Sequence, residues 1–107
     1  MAIHQQVTNY IYYLRKKWDK LGYSRRSINT GQCENFARDL KKKFPEGKAI
    51  WGDDYPELFI NGVDNVGHCF FEFKGRYYDS ECSSSVKFPE HLPFYRRSLS
   101  FREKIIS

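Results

Sequence analysis

The chain has 107 residues, of which 40% are apolar and 18% are aromatic, and its formal net charge at pH 7 is +5. This length and composition suit one compact domain in which Phe and Tyr supply much of the buried area. No apolar run is long enough to cross a bilayer, and no internal repeat, low-complexity tract or second domain is visible, so we expect a single domain over residues 1–107.

The first predicted element is an amphipathic helix over residues 3–21. Gly22 is its expected C-cap, and we expect its apolar face to belong to the core. The apolar side chains recur every three or four residues: Ile3, Val7, Ile11, Leu14, Trp18 and Leu21.

A second helix is predicted over residues 31–44, and it carries Cys33 in its first turn. The polar run 27–30 precedes Cys33 and contains two candidates for the N-cap. In the first turn the unpaired backbone N–H groups and the helix dipole favour a thiolate, and the same groups can stabilise a developing oxyanion. The helical spacing of the apolar face is given by Phe36, Ala37, Leu40 and Phe44.

A short strand is predicted over residues 48–51, followed by a long polar loop over 52–66 that leads into His68. Loops of this length in compact domains are often functional, so we expect this loop to form one wall of a cleft. At the other end of the chain, the tail from residue 86 is compatible with either a closing strand or a short helix.

A β-hairpin is predicted over residues 68–80, because the two-residue spacer Lys74-Gly75 separates two segments rich in aromatic residues. With this turn, Phe73 lies opposite Arg76. Side-chain alternation then places His68 and Asp79 diagonally on one face, about 7 Å apart at Cα. A slip of one residue in the register would move one of them to the other face.

The pattern Gly-x-Cys-x-Asn-Phe-Ala at 31–37, Gly-His-x-Phe-x-Glu at 67–72 and an Asp on the next strand resembles the core of transglutaminase-like proteins in the papain-like cysteine hydrolase superfamily. The resemblance implies an α+β fold in which N-terminal helices pack on a small antiparallel β-sheet. It also implies that Cys33 is the nucleophile, His68 the general base and Asp79 the orienting acid. A thiol needs an imidazole to become a competent thiolate, and the imidazole needs an orienting group.

The chemistry implied by this resemblance is acyl transfer at an amide bond through a thioester. Peptide or isopeptide hydrolysis by a thiol protease, deamidation of glutamine and amine cross-linking share these steps, and we favour hydrolysis. The competing interpretation is a small basic binding or inhibitory protein that keeps the fold without using the triad. The small size of the chain favours this alternative, and the retained triad favours the enzyme.

A cysteine hydrolase needs an oxyanion donor beyond the backbone N–H of Cys33. Gln32 and Asn29 are the nearest candidate amides, Gln5 and Gln6 are further ones, and the sequence does not choose among them. Asn29 has the alternative role of capping the second helix.

Cys69 and Cys82 are interpreted as structural thiols, because strand alternation turns Cys69 away from His68 and Cys82 follows the hairpin. A zinc site of Cys33, His68 and Cys82 is possible by residue type. The paired Cys-x-x-Cys spacing of common structural sites is missing, so we expect no metal and no cofactor.

Localisation is inferred from the N-terminus and the thiols. The first six residues are too polar for a signal peptide, and three cysteines are an odd number for a disulfide framework. Free thiols in a reducing compartment fit better, so we expect a cytoplasmic protein.

The expected partner is a protein or peptide substrate, and the positive charge favours an acidic one. Basic clusters lie at 15–17, 25–26, 41–43 and 96–97. No nucleic-acid motif accompanies them and residues 41–43 belong to a predicted helix, where charge runs usually serve solvation, so nucleic-acid binding is not favoured. No membrane association is expected.

Overall fold

The computed structural model describes residues 2–52 and 68–96. Over these residues the chain forms three α-helices, a 3-10 helix and one antiparallel sheet of three strands in the order β1-β2-β3, and α3 packs against β1 and β2. The predicted α+β class, with N-terminal helices on a small antiparallel sheet, is confirmed. The elements are α1 (Ile3–Lys20), α2 (Arg25–Gly31), α3 (Cys33–Lys43), β1 (Lys48–Trp51), β2 (Cys69–Phe73), β3 (Arg76–Tyr78) and a 3-10 helix (Pro89–His91).

The first predicted helix is confirmed, and it ends one residue earlier than expected. Gly22 follows with φ of +93°, a left-handed conformation that glycine adopts at little cost after a helix. The buried face of α1 consists of predicted core residues, namely Val7, Ile11, Leu14 and Trp18.

The segment before Cys33 differs from the prediction of one helix over residues 31–44. Residues 25–31 form α2, whose N-cap is Ser24: its Oγ accepts a hydrogen bond from the Ser27 N–H at 3.2 Å. Ile28 is buried and anchors this short helix in the core. The predicted polar run is therefore a helix in its own right.

The predicted capping role of Asn29 was wrong, because Asn29 lies inside α2. Gln32 separates α2 from α3 with φ of −125° and provides no side-chain cap. Cys33 is the first residue of α3, so the prediction that it lies in the first turn is confirmed.

The predicted strand at 48–51 and the predicted register of the hairpin are both confirmed. β1 has the predicted bounds, and across the hairpin Phe73 lies opposite Arg76. Lys74 and Gly75 have φ of 50° and 78°, as a type I′ turn requires.

β3 ends at Tyr78, two residues before the predicted end of the hairpin. The chain turns there, because the N–H of Asp79 bonds the carbonyl of Cys82 at 3.2 Å and the N–H of Cys82 bonds the carbonyl of Asp79 at 3.1 Å. This turn holds Asp79 at the end of the sheet.

The core of the described residues contains three apolar clusters. The first joins the helices to Phe71, Phe73 and Tyr78 of the hairpin. The second packs Phe70 against the C-terminal segment, which contributes Leu92, Phe94 and Tyr95. The third is small and surrounds the candidate nucleophile; it consists of Cys33, Ala37 and Cys69.

The described part of the C-terminal tail begins with an isolated bridge between Tyr77 and Val86, followed by the 3-10 helix and a helical turn at 93–96. Of the two predicted alternatives, a closing strand and a short helix, the described part is therefore helical. The proposed cleft-wall loop falls almost entirely on 53–67, which lies outside the described residues, as does 97–107. Within the described ranges no helix is both long and apolar enough to cross a bilayer.

Candidate active site

The hairpin brings His68 and Asp79 into direct contact. His68 immediately precedes β2 and Asp79 immediately follows β3, and Nε2 of the ring lies 3.0 Å from Oδ2 of the carboxylate. This is the diagonal pair that the predicted register required. Both side chains are buried, with exposures of 0% and 2%, so their interaction is shielded from solvent.

The orientation of the Asp79 carboxylate is fixed by the turn that follows it. Its Oδ1 accepts hydrogen bonds from the N–H groups of Glu81 and Cys82, both at 2.9 Å. Oδ2 is therefore directed to His68, and the contact with Nε2 leaves Nδ1 as the ring nitrogen available for proton exchange.

Cys33 is the first residue of α3, and it contacts the first residue of β2, which follows His68. The N–H of Cys69 donates a hydrogen bond to the Cys33 Sγ at 3.3 Å. The side chain is 8% exposed. The structure thus places the thiol, the ring and the carboxylate of the predicted triad in one cluster.

The pKa of Cys33 is lowered from its ordinary value. Burial alone would raise it, but hydrogen bonding with the His68 ring, the Cys69 N–H, the charge of His68 and the Glu34 N–H together outweigh burial. The first turn of α3 therefore contributes to thiolate stabilisation, as predicted from the sequence.

The pKa of His68 is raised, in the direction complementary to that of Cys33. Burial would lower it, whereas hydrogen bonds to Asp79 and to the Cys33 thiol, together with the charges of both, favour the imidazolium. The two shifts are complementary, because each group favours the charged form of the other.

The other two cysteines ionise with much greater difficulty. Burial, followed by the charges of Cys33 and Glu34, raises the pKa of Cys69 to about 12. Burial and the charge of Asp79 raise that of Cys82 to about 11. None of the three cysteines forms a disulfide, and of the three only Cys33 has a pKa below its ordinary value.

An aromatic layer covers the ring of His68. Phe94 stacks on it with centroids 4.0 Å apart and an interplanar angle of 14°, and Tyr95 contacts it edge-on at 5.5 Å. On the inner side, the gap beside Cys33 among the core residues is too small for a water molecule. Sequence reasoning missed the role of Phe94, because no local pattern connects residues 26 positions apart.

The two candidate oxyanion amides have different surroundings. Oε1 of Gln32 accepts a hydrogen bond from Asn35 Nδ2 at 2.7 Å, which leaves the amide N–H groups of Gln32 available. Asn29 is buried and uses both ends of its amide: Nδ2 donates to Glu81 at 3.1 Å, and Oδ1 lies 2.8 Å from the Ser80 hydroxyl.

Ser80 connects the triad to α2, a role that the sequence did not reveal. Its fully buried hydroxyl also lies 2.6 Å from the Arg25 carbonyl, and its own carbonyl accepts a hydrogen bond from Arg15 Nε at 2.7 Å.

Among residues 2–52 and 68–96, no three His, Cys, Asp or Glu side chains are grouped as metal ligands would be.

No protein-family model, curated protein or solved structure matches this chain.

Proposed function

We propose that this protein is a cysteine-nucleophile acyl-transfer enzyme that acts on an amide bond of a protein or peptide. The observation that carries the proposal is the clustering of Cys33, His68 and Asp79 with complementary pKa shifts of the thiol and the ring. The resemblance to transglutaminase-like members of the papain-like superfamily assigns the same roles to the same three residues.

In the first half-reaction the Cys33 thiolate attacks the acyl carbon and forms a C–S bond, while the carbonyl π electrons move to oxygen. The tetrahedral intermediate then expels the amine, which takes a proton from the His68 imidazolium. In the second half-reaction His68 removes a proton from water, and the resulting hydroxide attacks the thioester. The acid is released and the Cys33 thiolate is restored.

The negative oxygen of the intermediate needs hydrogen-bond donors. We assign this role to the backbone N–H of Cys33 at the start of α3 and to the side-chain amide of Gln32, whose N–H groups are not used for Asn35. Asn29 is less suited, because its amide already bonds Ser80 and Glu81.

Hydrolysis is the acyl transfer that we favour. Deamidation and amine cross-linking begin with the same thioester, and they differ in the leaving group and in the nucleophile that resolves it. An amine that reacts in place of water would leave the roles of Cys33, His68 and Asp79 unchanged.

One observation favours a second candidate function, a binding or inhibitory protein in which the triad is unused. The ring of His68 is fully enclosed, with Phe94 stacked against it. A substrate can reach the ring only if this aromatic cover moves. In a protein that acts by binding, the same packing would serve stability alone.

The decisive experiment is the pH dependence of Cys33 alkylation by iodoacetamide, read peptide by peptide with mass spectrometry. In the wild type, we expect Cys33 to react at a pH well below that needed for Cys69 and Cys82. In His68→Ala the apparent pKa of Cys33 should rise, and its rate at pH 7 should fall by about tenfold or more. His91→Ala, which removes an exposed ring, should leave the profile unchanged.

A screen of amide substrates completes the test, with Cys33→Ala as the inactive reference. Loss of amide hydrolysis in both Cys33→Ala and His68→Ala supports the enzyme. If Cys33 reacts slowly with an ordinary thiol pKa in the wild type and in His68→Ala alike, the enzymatic proposal fails and the binding protein is favoured.

A further inference from the structure

A basic cleft lies away from the Cys33 thiol, between the second half of α1 and the start of α2. Its volume is about 550 Å³, within the range typical of small-molecule sites. Four cationic side chains line it together with one carboxylate, Asp19: Arg15, Lys16, Arg25 and Arg26. The cleft coincides with two of the basic clusters in the sequence, which the proposed acyl-transfer mechanism does not use.

No cation of the basic cleft takes part in an ion pair within the part of the chain that the structure describes, although the charge of Asp79 acts on Arg15. The ion pairs there join Arg38 to Glu34, His68 to Asp79 and Lys74 to Glu46, and none includes a cation of the cleft. Burial lowers the pKa of Arg15, and the charge of Arg25 lowers it further, so these two guanidinium groups repel each other. A bound anion would relieve this repulsion.

The guanidinium group of Arg15 and the backbone at the start of α2 are held in place by the fold. Arg15 is half-buried, and its Nε donates to the Ser80 carbonyl, which leaves the terminal guanidinium nitrogens for a ligand. The Arg25 carbonyl lies 2.6 Å from the Ser80 hydroxyl, which ties the start of α2 to the same buried residue. This fixed placement reduces the ordering entropy that ligand binding would cost.

We propose that the basic cleft binds a phosphorylated small molecule that carries at least two negative charges. The planar fork of arginine matches the oxygens of a phosphoryl group with two parallel hydrogen bonds, and the cleft offers three arginines and a lysine. Asp19 interrupts the positive lining, so the cleft is not a continuous basic track of the kind that a nucleic-acid backbone follows. The lining of the cleft includes none of Cys33, His68 and Asp79.

The test is isothermal titration calorimetry of the full chain with inorganic pyrophosphate at constant ionic strength. We expect saturable binding with one site per chain, weakened about tenfold or more in R25Q/R26Q. Both side chains are exposed, so this variant should fold. K42Q/K87Q removes the same charge from exposed positions outside the cleft, and it should bind as the wild type does.

K16Q provides a second variant of the cleft, with an expected loss of severalfold. Equal weakening in the cleft and control variants would mean general charge attraction and would overturn the site. Absence of saturable binding to the wild type would also overturn it. Tighter binding of tetraglutamate than of pyrophosphate would overturn the phosphoryl assignment in favour of an acidic peptide.

Discussion

Cys33, at the start of α3, and Cys82, in the turn after β3, both lie near the paired side chains of His68 and Asp79, yet their pKa values move in opposite directions. Cys82 is buried and its backbone N–H binds Asp79 directly, so burial and then the negative charge of Asp79 oppose its thiolate. Cys33 interacts with Asp79 through His68, and the ring changes the sign of the effect.

A buried carboxylate therefore does not by itself decide how nearby thiols ionise. Asp79 supports the imidazolium of His68, and the imidazolium supports the Cys33 thiolate. Where no ring intervenes, burial and then the same charge raise the pKa of Cys82 to about 11. Variants that alter the carboxylate, the cover of the ring or Cys82 itself therefore test separate parts of this comparison.

Asp79→Asn should bring the pKa values of Cys33 and Cys82 closer together. The asparagine can still accept hydrogen bonds from the backbone N–H groups of the turn, but the negative charge is lost. The apparent pKa of Cys33 should rise because His68 is less readily protonated, with an expected loss of about tenfold or more in alkylation rate at pH 7. The pKa of Cys82 should fall below 11, although burial will keep it above its ordinary value.

Both shifts can be followed by residue-resolved alkylation over a pH series. Glu46→Gln removes an exposed carboxylate elsewhere and should change neither thiol. Shifts of Cys33 and Cys82 in the same direction would contradict the proposed role of the ring as the link between Asp79 and Cys33.

Phe94→Ala should open the cover over His68. The ring stacked at 4.0 Å is removed, so the alkylation rate of the Cys33 thiolate should rise severalfold while its apparent pKa changes less. Loss of a buried Phe also lowers the free energy of unfolding, typically by about 3 kcal/mol. Rates are therefore measured under conditions where circular dichroism shows the variant to be folded.

The matched control for this variant is Phe88→Ala, which removes an exposed ring from the same segment. It should leave Cys33 reactivity unchanged. Faster labelling of Cys33, Cys69 and Cys82 together in Phe94→Ala would indicate general unfolding, and an unchanged Cys33 rate in a folded variant would show that Phe94 does not limit access.

The hairpin could be predicted because its signals are local. Gly75 suits the positive φ that the turn requires, Lys74 adopts φ of 50° beside it, and a turn of fixed length determines the register of both strands. The proximity of His68 and Asp79 follows from that register. Cys33 in the first turn of a helix was also predictable, since the apolar spacing after it is regular.

The helix α2 was not predictable in the same way, because seven residues contain too few apolar positions for a periodic signal. Its position depends on one buried side chain, Ile28, and on contacts between Arg25, Asn29 and the distant Ser80. The stacking of Phe94 on His68 likewise depends on tertiary packing. Long-range contacts of this kind leave no pattern in the local sequence.

Cys82→Ala tests the raised pKa of Cys82 through the pH dependence of protein stability. The pKa of Cys82 is about 11 in the folded protein against an ordinary value of 9.0, so between pH 9 and 11 the unfolded state loses this proton first and stability falls as pH rises. We measure the free energy of unfolding by urea denaturation at pH 9 and at pH 11. The decrease between these two pH values should be smaller in Cys82→Ala than in the wild type, by about 2 kcal/mol. Cys69 keeps its own contribution to the slope in both proteins.

Cys33→Ala is the matched control for this measurement. The folded-state pKa of Cys33 is lowered, so its contribution to stability is fully present above pH 9 and is lost only as pH falls through that lowered value. Removing Cys33 should therefore leave the slope between pH 9 and 11 unchanged. Equal slopes in the wild type and Cys82→Ala would show that Cys82 ionises normally in the folded protein, and the contrast between the two thiols would then rest on Cys33 alone.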